Sequence, residues 1–280
     1  MNFTSGTMRL RENKGVSFLT FPLFDALPFV NHAFSTRLGG VSTGEFSSMN
    51  LGFGRGDPEE NVQENYRRFC DAAGFSYENL VASAQDHHTV VRRVGEEERG
   101  IGIYRPRDRE SVDGLVTDCP GIALVTYYAD CVPLFFADPV KKAVGLAHAG
   151  WRGTADRIGG VMVRTMTEEF GSDPADLFAA VGPSIGPSCY EVDFPVAQRF
   201  LALDDLRPEE LVEQRGNGKY HLNLWETNRR VLLKAGIPPE HIALAGLCTR
   251  CNSELLFSHR ATGGKRGSLA AMISVRREGR

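Results

Sequence analysis

The chain has 280 residues, 42% of them hydrophobic and 24% charged, a composition ordinary for a soluble globular protein and sufficient for a sizeable core. A formal net charge of −3 leaves no electrostatic footprint for nucleic acid, and no apolar run approaches the length of a membrane span. Six cysteines are too dilute for a disulfide scaffold, and the polar start MNFTSGTMRLRENKG lacks the apolar stretch of a secretory signal, so the expected compartment is cytoplasmic, with reduced thiols.

Residues 1–14 are polar and expected to fray. Val16–Phe21 and Val30–Ser35 read as strands separated by turns at Pro22 and Pro28. A Gly/Ser/Asn-rich region follows, from Ser35-Thr36-Arg37 to Ser47–Gly56 (SSMNLGFGRG). A loop of that length in a compact fold is commonly functional. Asp57-Pro58-Glu59-Glu60 is a helix start, with Asp57 as N-cap and Pro58 at the first helical position. Val62, Tyr66, Phe69 and Ala73 continue it at helical spacing, Cys70 packs beside them and Gly74 ends it. A strand-like segment, Asn79–Ser83, leads into Gln85-Asp86-His87-His88.

Three apolar runs, Ile122–Tyr128, Val132–Ala137 and Ala143–Ala147, are short, β-branched and aromatic, and read as buried strands. Thr154–Phe170 reads as one helix, with Ile158, Val161, Met162 and Phe170 inward and Gly171 at its end. Phe178–Val181 is a short strand before the Gly/Pro loop of residues 182–192. Pro195–Leu203 is a helix behind an Asp193 cap, and Asn223 opens a capping-box helix that ends at Gly236. Ile242–Ala245 and Ser268–Val275 are further strands, the second preceded by a glycine-rich turn at Gly263–Gly267. Strands outnumber singly interspersed helices, the pattern of an α+β, mixed-sheet fold.

Chemistry concentrates at Asp130-Cys131 and at His148-Ala149-Gly150-Trp151-Arg152-Gly153. A thiol and an imidazole there flank a strand pair and can meet in space, as nucleophile and base or as two metal ligands. The third candidate ligand is His87 or His88. Two histidines and one cysteine leave a fourth tetrahedral position open, as in catalytic zinc sites; with a weak axial Met the same set suits blue copper. Arg152 and Gly153 sit at a strand-to-helix junction that serves an anion or is a solvated turn. Arg37 and Asn50 in the polar loop offer further donors. Cys248-Thr249-Arg250-Cys251 has the spacing of half a zinc ribbon or a redox dithiol, but without a second pair it reads as a turn with two packed thiols. His32 and His221 read as strand residues. Walker A, G-x-S-x-G, HExxH and dinucleotide fingerprints are absent.

In order from about Phe34 to Ile273, the segments FSTRLGGVS, MNLGFGRGD, Gln85-x-His87, DGLVTD, ADCVPLFFAD, GLAHAGWRGT, GPSIGPSCYEV, LNLW, GLCTRCN and FSHRATGGKRG resemble the YfiH/YlmD family. That family carries the label laccase-domain or polyphenol oxidase family and is described as purine nucleoside phosphorylases with adenosine deaminase activity. The resemblance implies an α/β/β/α sandwich with mixed sheets, forming one domain over residues 1–280. It also implies zinc held by His87, Cys131 and His148, with copper as an alternative occupant. Purine nucleosides (inosine, guanosine, adenosine, methylthioadenosine) and inorganic phosphate are the implied substrates. Arg37, Asn50 and Arg152 are the expected substrate contacts, and Asp130 is expected to orient a metal ligand. The glycine that usually follows the first histidine is His88 here, which makes His88 a supporting partner, an alternative ligand or a bystander. Three other readings stand beside this one: a copper-dependent phenol oxidase, a Cys–His hydrolase with Cys131 as nucleophile and His148 as base, and a non-catalytic metal-binding module.

Overall fold

The computed structural model describes residue 5 and residues 7–277. The chain opens with β1 (Arg9–Asn13), β2 (Val16–Thr20), the single turn α1 (Pro22–Asp25) and β3 (Val30–Ser35). Helix α2 (Glu59–Ala73) precedes five strands: β4 (Leu80–Ala82), β5 (Val91–Arg93), β6 (Gly114–Thr117), β7 (Ala123–Tyr128) and β8 (Val132–Asp138). Then come β9 (Ala143–Ala149), α3 (Trp151–Ala155), α4 (Ile158–Phe170), β10 (Phe178–Val181), β11 (Glu191–Asp193) and α5 (Phe194–Leu201). The rest is β12 (Val212–Gln214), β13 (Lys219–Leu222), α6 (Leu224–Lys234), β14 (Ile242–Leu244), α7 (His259–Thr262) and β15 (Leu269–Val275). No described helix is long and apolar enough to cross a membrane.

Two six-stranded sheets lie face to face. The first runs β1-β2-β3-β15-β7-β4 and the second β14-β10-β8-β9-β6-β5, while β11-β13-β12 form a small separate sheet. Both large sheets are mixed, because β4 joins β7, β14 joins β10 and β5 joins β6 in parallel while the remaining pairs are antiparallel. Between them, Leu19, Phe34, Leu124 and Ile273 of the first sheet meet Phe135 and Leu146 of the second. On the outer face of the first sheet, Val62, Tyr66 and Phe69 of α2 cover Val125 and Met272. On the outer face of the second, Met162, Met166, Phe200 and Leu232 of α4, α5 and α6 cover Leu134 and Phe136. The layer order is therefore α/β/β/α, as expected. Neighbours in β8 alternate between the two cores, Phe135 inward and Phe136 outward, and both are fully buried. This two-sided burial is why the run is apolar at every position, and each such phenylalanine contributes about 2–3 kcal/mol.

Several expectations need correction. Of the residues expected to fray, 1–4 and 6 lie outside those described, whereas RLREN (9–13) is the edge strand β1, paired in full register with β2. It reads as polar because only one partner covers it and four of its five side chains are exposed. Asp57 is not an N-cap. Its carboxylate accepts Ser42 Oγ at 2.6 Å and Asn50 Nδ2 at 2.8 Å, and α2 begins behind Pro58 without a side-chain cap. Asp193 does occupy the N-cap position of α5, but its side chain engages Lys219 Nζ, at 2.5 Å, and makes no capping bond. The segment 154–170 is two helices, broken where Arg157 adopts a left-handed conformation (φ 61°). Val163 and Met166 are then buried, with Val161 and Phe170 only partly so. Asn223 does cap α6, accepting the Glu226 amide at 3.0 Å, and Gly74 ends α2 at φ 75°.

Candidate active site

The site forms where β8 and β9 run together beside the turn 85–89. Cys131 immediately precedes β8, and the antiparallel register sets Val132 opposite Ala149 and Pro133 opposite His148. Cys131 and His148 are thereby brought to the same end of one strand pair. The third member, His87, arrives on a turn that a single buried carboxylate organises. Asp113, fully buried just before β6, accepts the backbone N–H groups of Asp86, His87 and His88 at 3.1, 3.1 and 3.0 Å. The turn is also clasped to the first sheet: Gln85 accepts the Tyr127 amide at 2.6 Å and donates to its carbonyl at 2.9 Å. His87 itself sits at φ 71°, a left-handed conformation that a non-glycine residue adopts only when its surroundings impose it.

The ligand atoms of His87, Cys131 and His148 all lie within 4.8 Å of one another. The two imidazole centroids are 4.8 Å apart, edge to face. His148 Nδ1 is 2.7 Å from Asp113 Oδ1, which leaves Nε2 directed to the Cys131 sulfur. Burial works against a charged His148, but the Cys131 sulfur and the Asp113 carboxylate outweigh it and raise its pKa to about 9. For Asp113, burial pushes the pKa up, yet the hydrogen bonds from His148 and the turn amides win and hold it below its ordinary value. His87 is lowered, first by burial and then by the neighbouring His148, so it stays a neutral donor. The three donors also need a glycine beside them. Gly150 faces the group, and a Cβ on it would come 2.5 Å from His87 Nδ1 and 3.5 Å from Cys131 Sγ. Two imidazoles and a thiol with a carboxylate behind one imidazole are the donor set of a metal centre with a free coordination position.

The triad opens into a cavity of about 250 Å³. Its other walls are strongly basic: Arg55, Arg107 and Arg266 line it together with Phe53, Gln85 and Ser268. Burial and repulsion from Arg55 lower Arg266 to about 10. Among the described residues its Nε has no hydrogen-bond partner, although it is buried. A desolvated guanidinium with an unused donor is suited to an anion.

The other expected site residues lie elsewhere. Arg37 donates to Ser47 O and Ser253 O, both at 2.8 Å, and stacks on Phe257 at 4.6 Å; it joins loops and does not line the cavity. Asn50 is fully buried and accepts the Ser268 amide at 2.8 Å, holding the loop that presents Gly52 and Arg55. Arg152 lies exposed over its neighbour Trp151, 4.3 Å from the ring, and is not a cavity wall either. His88 is exposed, with Nδ1 2.9 Å from Asp86, so the histidine of the pair that joins the candidate ligand group is His87. Asp130 is not the residue behind a ligand. Its oxygens accept Thr249 Oγ1 at 2.6 Å and the Arg260 amide at 2.7 Å, and Asp113 takes the orienting position. Asp113 and the three cavity arginines were missed as site residues. Asp113 stands in the quoted DGLVTD segment, at the mouth of a buried strand, and that placement was the available signal.

The family model described as "Multi-copper polyphenol oxidoreductase laccase" matches residues 31–276. The chain belongs to this family. Within this laccase family it is 40% identical, over 251 residues, to "Purine nucleoside phosphorylase YlmD" of Geobacillus stearothermophilus, covering 87% of this chain and 89% of that protein. It is 34% identical over 233 residues to "Adenosine deaminase RL5" of an unknown prokaryotic organism, covering 82% and 88%. Among solved structures, Bacillus licheniformis hypothetical protein YfiH superposes with a TM-score of 0.88 at 35% identity, covering 95% of this chain and 99% of that one.

Proposed function

We propose that this chain is a zinc-dependent purine nucleoside phosphorylase that also deaminates adenosine. The observation that carries the reading is the convergence of two histidines and a cysteine at the edge of a cavity lined by three arginines. The similarity to relatives named for each of the two activities supports it.

His87 Nδ1 or Nε2, Cys131 Sγ and His148 Nε2 would hold the zinc, with Asp113 fixing the tautomer and orientation of His148. When bound, zinc supplies Lewis acidity, stabilising charge on the substrate and activating water at neutral pH. Arg55, Arg107 and Arg266 hold phosphate against the ribose face of inosine, guanosine, adenosine or methylthioadenosine. A phosphate oxygen then bonds to C1′ as the bond from C1′ to the purine nitrogen breaks, and the purine leaves with a proton. The guanidinium groups also offset negative charge brought next to the ribosyl cation. In deamination, water adds to the amino-bearing ring carbon and ammonia leaves.

Purified protein incubated with inosine and phosphate should release hypoxanthine only when phosphate is present, and should carry about one tightly held zinc at this triad. Cys131→Ala should lose both the metal at the triad and the turnover. A Cys131→Ala protein that kept zinc and activity would overturn the assignment.

One observation favours a second reading. The Cys131–His148–Asp113 line also has the order of a nucleophile, base and orienting acid. A metal-free protein that is active and is inactivated by alkylation at Cys131 would establish that hydrolase reading. Copper-dependent phenol oxidation has weaker support: the chain has seven histidines, and among the described residues no group able to bind a metal brings more than two of them together.

A further inference from the structure

A second group of sulfur donors stands apart from the triad. Cys189, Cys248 and Cys251 present three thiols whose sulfur atoms all lie within 4.8 Å of one another. Cys189 and Cys251 are 3.4 Å apart through sulfur, and Cys248 Sγ accepts the Gly186 amide at 3.1 Å. The sequence shows only the Cys248-x-x-Cys251 pair, and the expectation there was a turn with two packed thiols. The fold adds a third sulfur from the 182–192 loop, 62 positions along the chain from Cys251.

We propose that Cys189, Cys248 and Cys251 form a second metal site, a trithiolate that takes a soft d10 cation, Cu⁺ or Zn²⁺. Three observations carry this. First, the donors are preorganised. Ser184 N–H donates to Leu247 O at 3.2 Å, and Thr249 N–H donates to Ser184 O at 3.1 Å. Trp225 Nε1 anchors Ser184 Oγ at 2.7 Å, so the loop and the turn are stapled together independently of their sulfurs. Second, the backbone donor on Cys248 Sγ is the kind of partner that stabilises sulfur as an anion, the form a metal requires. Third, burial is graded, from buried Cys248 through half-buried Cys189 to exposed Cys251, which gives an ion a way in and leaves room for an outside fourth ligand.

Softness selects the occupant: an all-sulfur set with no imidazole or carboxylate favours Cu⁺ in trigonal geometry, or Zn²⁺ completed by solvent. A disulfide between Cys189 and Cys251 would need only two of the sulfurs and would leave Cys248 without its partners. The site also has a structural link to the active centre. Thr249, between the two turn cysteines, donates to Asp130 Oδ1 at 2.6 Å, and Asp130, held at φ 88°, immediately precedes Cys131. A bound ion would fasten the turn that holds Asp130 in that conformation.

The test uses full-length reduced protein carrying Cys131→Ser and His148→Ala, which disable the triad and isolate the second group. Titration with Co²⁺ as a spectroscopic stand-in for Zn²⁺ should give intense thiolate-to-cobalt charge-transfer absorption saturating at about one ion per chain. Competition with a Cu⁺ chelator should show uptake of similar stoichiometry, and the tighter of the two ions names the occupant. Adding Cys189→Ser and Cys251→Ser should abolish both signals without changing the far-ultraviolet circular dichroism. The idea is overturned if the charge-transfer band is missing, if it survives loss of those two cysteines, or if the reduced protein takes up neither ion and oxidises in air to a Cys189–Cys251 disulfide. Should the triad variants fail to fold, protection of Cys251 from alkylation by added Zn²⁺ in the wild-type protein, read by peptide mapping, decides the same point. This outcome is independent of nucleoside turnover, so failure here leaves the enzyme reading untouched.

Discussion

Asp113 lies 2.7 Å from His148 Nδ1, and the same oxygen accepts the backbone N–H of His87 at 3.1 Å. One carboxylate thus positions two of the three candidate ligands, one through its ring and the other through its main chain. Asp113→Asn keeps the size but replaces one of the two accepting oxygens, each of which faces two N–H groups, with a donor. Loss of such a partner typically lowers metal affinity by about 10- to 100-fold. Competition against a zinc chelator should show a loss in that range, and unchanged affinity would mean that the turn 86–88 holds His87 without it.

Gly150 tests the shape of the same centre. A methyl group there meets His87 Nδ1 at 2.5 Å, so the imidazole itself has to move aside. Overpacking of this kind costs about 1–3 kcal/mol. Taken from the metal-holding geometry, that is a loss of about 5- to 150-fold in affinity. Gly150→Ala should therefore release zinc to a chelator while keeping a normal melting transition. A variant that held zinc as tightly as the parent would show that His87 does not face the ion.

The cavity arginines should separate the two proposed reactions. Arg266→Met removes a half-buried charge whose Nε has no partner among the described residues. A charge-assisted hydrogen bond is worth about 1.5–3 kcal/mol, so the KM for phosphate should rise by about 10- to 100-fold. Adenosine deamination, which uses no phosphate, should keep its KM. Equal damage to both activities would assign Arg266 to the nucleoside or to the fold.

His32 gives the fold a dependence on pH. Its Nε2 accepts the Phe21 amide at 2.7 Å inside the core, and burial lowers its pKa from 6.5 to about 4, against an opposing pull from Asp25. The unfolded chain takes up a proton below about 6.5, but the folded chain resists until about 4. Its contribution is therefore complete above pH 6.5 and is lost as pH falls through that window, by about 3 kcal/mol in all. Urea midpoints measured from pH 7 to pH 4 should fall less steeply in His32→Gln than in the parent. Parallel slopes would contradict this.

What could be read without coordinates was what the chain states locally. The three central strands were legible because burial on both faces makes them apolar at every position, and the convergence of His87, Cys131 and His148 because these residues sit inside distinctive segments. The break between α3 and α4 was not, because Arg157 takes a left-handed turn with no glycine or proline to announce it. Asp57 carried a sound N-cap signature that tertiary structure overrode, drawing its carboxylate toward Ser42 and Asn50. The cavity arginines were illegible for a simple reason. Arg55, Arg107 and Arg266 come from three distant loops, and only the fold decides which of the chain's many arginines end beside one another.

The place of β15 in its sheet carries a consequence for how the protein is made. That strand lies between β3 and β7, which the ribosome releases far earlier. Until residues 269–275 emerge, the first sheet exists only as two separate halves with bare hydrogen-bonding edges, the kind of surface that recruits strands from other chains. Arg266 and Ser268, just upstream, complete the cavity wall at the same moment. His87, Cys131 and His148 are thus synthesised well before the enclosure around them can close. A stop codon just before Leu269 would remove the middle of a sheet and leave a nascent product prone to aggregate, with His87, Cys131 and His148 present but the strand that carries the Arg266–Ser268 wall into place missing.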